Sequence, residues 1–455
     1  NFREAGIINW KKVFLLLLGI LLVVFLSGIN LLSFNYNLDY QTSASAASGN
    51  TIYVDVANCP GPGTGTQADP YCEIQTAIDH TSQGDAISVA AGTYNEHLVM
   101  NASHGANDIS VVGAAAASTI ISGPTVGLNN EKVLIDGMSG ITFQNFTVRD
   151  GAYGIYIAGG SSTVNIDGAY VVANTTDGVY INSSSGVTVQ NSNISNNANI
   201  GINNISSSGV TMSNNIVSTN GTGSGPDEGG IINTTSANTV INNNSTISGN
   251  LGQGIKSTDA ALDPAKRVTV SGCSISSNAQ NGIVSDTIYA TVYNNVIYSN
   301  ADNGVDFRNA LAAGDVRSTA YNNTIYGNTD DGILVRDADV LLIGNNIGSA
   351  GAGNGEGVVV QDVLGVGASA YLYGNQIKYN ITNGINIHNL SGAVVLTLNL
   401  YIYSNEISDN QVGIYIQETA KGEIKDNLIE ENSQGGIAID TGATGSLIAS
   451  NMIAN

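Results

Sequence analysis

Proline is nearly absent from this chain, at 6 of 455 residues, and charged residues make up only 11%. Surface helices need polar and charged outer faces, so this scarcity argues against a helical bundle or coiled coil. Basic residues are the rarer sign, 14 Lys and Arg against 36 Asp and Glu, for a formal charge of −22. A phosphate backbone is repelled by such a surface, which makes nucleic acid a poor partner. The three cysteines form neither a Cys-x-x-Cys pair nor a Cys/His cluster, so no zinc site is written in the sequence. The four histidines are scattered, and base catalysis needs a positioned partner.

What is plentiful is glycine, 55 residues, and it recurs with a period. TVYNNVIYSNADNGVDF at Thr291–Phe307 returns as TAYNNTIYGNTDDGILV at Thr319–Val335. The same Gly step stands at Gly154, Gly178, Gly201, Gly230, Gly254, Gly282, Gly304, Gly332, Gly357, Gly384, Gly413 and Gly436, a mean spacing of about 26. After each Gly the apolar residues alternate, as in Ile155/Ile157, Val305/Phe307, Ile333/Val335 and Ile385/Ile387. A period of two means strands, and short strands repeating at this length close most simply as coils stacked in parallel at ~4.8 Å. The turn residues Asn295, Asn323, Asn345, Asn375, Asn405 and Asn427 fit the same stack. Asn tolerates left-handed geometry, and its amide can bond the copies above and below.

Three regions follow. Residues 1–49 hold Lys11, Lys12 and the apolar run Val13–Leu26, continuing with interruptions to Phe34. This segment predicts a signal peptide, cut near Ala44-Ser45-Ala46, or a membrane anchor, with the remainder outside the cytoplasm. Residues 50–150 predict an N-terminal cap and irregular first coils. Asp69-Pro70 is the expected helix start, and Ile74, Ala77 and Ile78 give a short amphipathic helix that covers the open end of the stack. Cys59 and Cys72 bracket a Gly/Pro-rich loop, where a disulfide is worth about 3 kcal/mol. Residues 151–455 are the repeats, with Cys273 at a turn-Asn position as a small packed residue and no capping text after SNMIAN, so a truncated C-terminus is expected.

The motif Asn-x-Ile-x-x-Asn-x-x-x-Gly, complete at Asn295–Gly304 and Asn323–Gly332, resembles the repeats of the pectin lyase-like superfamily. The segments YVD, PYCEIQTAID and GDAISVAAGTY resemble the N-terminal cap of its secreted members. The resemblance implies an all-β, single-stranded, right-handed parallel β-helix with a short N-terminal capping helix. It spans lyases, glycosidases, epimerases and adhesins. Polygalacturonase-like members place catalytic aspartates just before such a Gly-Ile strand. Asn174-Thr175-Thr176-Asp177-Gly178 and Asp330-Asp331-Gly332 are similar to those segments, six coils apart, while Gly355-Glu356-Gly357 stands where that family has Gly-His-Gly.

Residues two and four after each Gly are expected to face outward, which puts Asp286, Asp306, Arg308 and Arg336 on one face, beside Asp302, Asp330 and Asp331 in the preceding turns. Asp302, Asp306, Asp330, Asp331, Arg308 and Arg336 are the candidate catalytic set. Two carboxyls can act as acid and base on a glycosidic bond, whereas a lyase needs Arg308 or Arg336 as base and a Ca²⁺ site for a uronate. Solvated ion pairs are the plainer account of the same residues. A second outward row, Tyr293, Tyr321, Ile343, Tyr373 and Tyr403, predicts an aromatic stripe for carbohydrate binding or for sheet stacking. The leading expectation is an exported cell-surface module binding polysaccharide or another surface glycan. Its alternatives are a polysaccharide lyase or glycoside hydrolase acting on acidic polysaccharide, and a structural surface-layer or filament component.

Overall fold

The computed structural model describes residues 49–454 apart from 124–129, 224, 226, 244, 313–315, 390–398, 418, 419, 421, 442, 444 and 445. The apolar segment and its processing site lie outside the described residues, among which no helix is long and apolar enough to cross a membrane. From Thr51 onward the chain winds as a right-handed parallel β-helix. Every third strand joins the same sheet, giving sheets of 16, 14 and 15 strands among the described residues, each pairing in parallel with the next. Stacking already runs through 101–150, where Ser110–Gly113 pairs with Ala86–Val89 in register, so the expected irregular coils are ordinary ones.

The alternating aliphatics close the core. Ile155, Ile157, Val305, Phe307, Ile333 and Val335 are fully buried and belong to one continuous cluster. Between the sheets, the recurring Gly lets neighbouring coils pass close. A Cβ at Gly304 would lie 2.6 Å from both the Gly332 carbonyl oxygen and Ile325 Cγ2, so the position admits no side chain.

The turn asparagines form a ladder. Each Nδ2 donates to the Oδ1 one coil on, at 3.0 Å from Asn295 to Asn323 and 2.9 Å from Asn323 to Asn345. Each Oδ1 also accepts the backbone N–H of the preceding Asn, as Asn323 does from Asn295. A second ladder, of which Asn278, Asn300, Asn328 and Asn354 are part, works the same way at the next corner. The left-handed residue at these corners is not the ladder Asn but its predecessor: Asn294, Asn322, Ser404 and Asp426 have φ near 55°. The ladder Asn needs an amide aimed inward, and the residue before it makes the turn.

The helix spans Ile74–Asp79 and buries Ile74, Ala77 and Ile78 against the first strands. It begins later than Asp69-Pro70, because Tyr71 is held extended by backbone bonds to Tyr53 and Asp55. Glu73 occupies the cap position without a side-chain bond to a helix amide, and Glu96 accepts from the Ile74 and Gln75 amides instead, both at 2.8 Å. Cys59 and Cys72 form the expected disulfide, and Cys273 is buried and free.

Four successive coils break the apolar core. The inward column Ile181, Asn204, Asn233, Ser257, Ser285, Phe307 is polar in its middle four members, all buried. Asn204 Nδ2 donates to Asn233 Oδ1 at 2.6 Å, yet Ser257 Oγ has no hydrogen-bond partner. Removing that hydroxyl relieves a desolvation cost, so Ser257→Ala is expected to leave stability unchanged or raise it by up to about 1 kcal/mol in denaturant unfolding. Asn323→Ala strands the Asn295 amide and the Val292 carbonyl, and is expected to cost about 3 kcal/mol by the same measurement.

Candidate functional site

The outer face of the 14-stranded sheet carries three parallel rows set by strand register. The first, just before each Gly, includes Asp331 and Glu356. The middle row runs Ile232, Lys256, Val284, Asp306, Leu334, Val359 and Asn386. The third runs Asp286, Arg308, Arg336, Gln361 and His388. The middle row alternates with inward core residues and so points outward, but it is not open to solvent. Val284 is 1% exposed, Val359 3%, and Asp306 0%. The two flanking rows, half-buried, border this buried floor along the stack, and the strip between them is the trench.

Asp306 therefore differs from the exposed ladder residue its position suggests. Its Oδ2 accepts from Arg308 Nε at 2.6 Å and also meets Arg308 Nη2, with Arg336 Nη2 at 3.3 Å from the other side. Both guanidiniums use the same oxygen, and Oδ1 is buried with no hydrogen-bond partner. Two guanidiniums on one buried carboxylate oxygen offset its desolvation by direct charge pairing.

The other carboxyls lie at the head of the trench. Burial, then the neighbouring Glu356, Asp330, Asp306 and Asp302, push the Asp331 carboxyl up to about 8. Asp302 is pushed up to about 6 by burial and by a side-chain hydrogen bond with Asp330. Thus two carboxyls of raised proton affinity, Asp302 and Asp331, and a carboxyl paired with two guanidiniums stand within adjacent coils. Separated environments of this kind assign acid and base roles to otherwise identical groups.

The fold brings together all six residues of the charged set, Asp302, Asp306, Asp330, Asp331, Arg308 and Arg336. Asp177 stays six coils away, satisfied by Asn199 Nδ2, the Ile200 amide and Asn203 Nδ2. Glu356 is the member that sequence reasoning passed over. It accepts from Asn383 and Asn386, the latter at 2.9 Å, and stands directly beside Asp331 in the next coil. Its signal was its place just before Gly357, the same step that Asp331 holds before Gly332.

The tyrosine row is real but lies on the 16-stranded sheet, apart from the trench. Register joins Tyr293, Tyr321, Ile343, Tyr373 and Tyr403 in unbroken order. Tyr293 and Tyr321 stack with centroids 4.8 Å apart and planes at 3°, so each covers a face of the other. Tyr373 is the open ring, 56% exposed. Among the described residues no group of three or more Asp, Glu, His or Cys is arranged to hold a metal ion.

No curated protein matches the chain. Solved structures with a similar course include the A-module of mannuronan C-5 epimerase AlgE6 of Azotobacter vinelandii, at 14% identity over 88% of this chain and 99% of that one, TM-score 0.49. Pectate lyase Pel9A is similar at 16% identity over 68% and 77% of the two chains, TM-score 0.43. A GH87 alpha-1,3-glucanase from Streptomyces thermodiastaticus strain HF3-3 is similar at 11% identity over 89% and 69%, TM-score 0.40. The family model for the right handed beta helix region matches residues 131–297 and 311–455, in keeping with the coil geometry above, and the chain belongs to that family.

Proposed function

We propose that this protein acts outside the cytoplasm on a polysaccharide, hydrolysing glycosidic bonds in the trench of the 14-stranded sheet. The observation that carries the reading is the pairing of Asp331, a carboxyl that keeps its proton at neutral pH, with Asp306, a carboxylate fixed by two arginines. A strip along the stack edged by carboxyls and amides suits a linear polymer with many hydroxyls. Export is supported by the Cys59–Cys72 disulfide, which persists in oxidising compartments.

In this scheme Asp331 gives its proton to the leaving glycosidic oxygen. Asp302, once ionised, accepts a proton from the attacking water, whose hydroxyl joins the anomeric carbon. Asp306, bound by both guanidiniums, holds Arg308 and Arg336 in place beside these carboxyls. A lyase mechanism with Arg308 or Arg336 as base is less supported, since both guanidiniums are committed to Asp306.

Glycan binding without cleavage is the second reading, and the exposed Tyr373 ring on the other sheet favours it. The two separate cleanly. Hydrolysis predicts release of reducing ends from a polysaccharide panel, with a bell-shaped rate that rises through about pH 6 and falls through about pH 8, as the base loses its proton and then the acid does. Asp331→Asn is expected to lower kcat about 100-fold or more with little change in KM. Undiminished kcat in that variant removes Asp331 from the mechanism. Binding that persists with no cleavage by the native protein, and is lost in Tyr373→Ala, moves the function to the tyrosine row.

A further inference from the structure

Charge in the trench is unevenly spent. Six carboxyl groups line four successive coils of it: Asp286, then Asp302 and Asp306, then Asp330 and Asp331, then Glu356. Asp286 accepts from Asn309 Nδ2 at 2.8 Å, and Glu356 from Asn383 and Asn386, so these two are held by neutral amides rather than by cations. Three nearby basic side chains each face a carboxylate, although Arg336 Nε is itself buried with no hydrogen-bond partner. Arg308 and Arg336 both contact Asp306 Oδ2, and Lys256, two coils earlier on the floor, is paired with Asp227. None of these three is left over to meet an anionic substituent on a substrate.

A separate observation points to a ligand. Asp306 is fully buried on the floor, and its Oδ1 has no hydrogen-bond partner although Oδ2 is met by two guanidiniums. A carboxylate oxygen withdrawn from water and left without a donor is costly, so it calls for a donor brought in from outside. Leu334 and Val359 continue the buried floor past it, so the surroundings of that oxygen are apolar as well as dry.

We infer that the trench selects a polymer carrying positively charged donors, an amino-sugar polysaccharide, rather than the acidic polysaccharide expected from the sequence. This rests on the trench being the glycan site. A protonated amine supplies three donors and one positive charge, the complement of an unpartnered carboxylate oxygen within an excess of carboxyls. A polyuronate meets the reverse: its carboxylates face like charge, and the −22 chain repels it at long range.

The test is calorimetric binding at pH 6 and low salt of three oligomers: β-1,4-linked glucosamine, its N-acetylated counterpart and oligogalacturonate. The amino-sugar oligomer is expected to bind at least tenfold tighter than the N-acetylated one, to weaken severalfold in 0.5 M salt, and to lose most of that preference in Glu356→Gln and Asp330→Asn. Circular dichroism melts of both variants show whether they remain folded. Equal binding of the acetylated and free-amine oligomers, or tighter binding of oligogalacturonate, overturns the inference. Reducing-end release from the same three oligomers separates the two readings. Amino-sugar binding without cleavage defeats the hydrolysis proposal and leaves the charge selection standing, whereas cleavage confined to an uncharged or acidic oligomer does the reverse.

Discussion

In-register parallel stacking governs everything else in this molecule. Each residue lies over its counterpart one coil away, so any letter repeated in the sequence becomes a column in space, and any change of letter becomes a step in that column. Where the column is Ile or Val it is core. Where it is Asn it is a ladder in which one side-chain oxygen accepts both the side-chain amide and the backbone N–H of the preceding Asn, closing the corners that a β-helix must turn without water. The recurring Gly is the counterpart of that closeness, since the coil above passes within 2.6 Å of where its Cβ would stand.

The same geometry accounts for the chemistry of the trench. Like charges directly opposite on neighbouring strands destabilise a sheet, yet Asp331 lies beside Glu356 and Asp302 bonds to Asp330. Raised proton affinity at Asp302 and Asp331, and the two guanidiniums on Asp306, relieve that conflict. Stacking thus converts a short run of acidic letters into groups of unlike proton affinity, which is the condition for acid–base work. The tyrosine row shows the other outcome. There, stacking lets Tyr293 and Tyr321 cover one another, and the column spends most of its ring surface on itself.

Much of this was legible in the letters. The Gly period and the alternation after it give the coil, the outward and inward positions, and the membership of the charged set, because each depends only on spacing along the chain. Less legible were features that depend on a neighbour's side chain. The helix starts at Ile74 rather than at Asp69 because Glu96, far along the chain, supplies the cap and Tyr71 is pinned as a strand. Glu356 escaped notice because it sits outside the Asp-Gly spelling, although its column is that of Asp331.

The sequence by itself determined the repeat, the sheet it builds and the rows into which outward residues fall, since register follows from spacing alone. Only the tertiary structure decided which outward positions are buried. Asp306 reads as an exposed strand residue, and becomes a buried carboxylate because Arg308 beside it and Arg336 one coil away fold over it from the same row. Desolvation and proton affinity arise from what lies across space, where separation in the sequence has no bearing on distance.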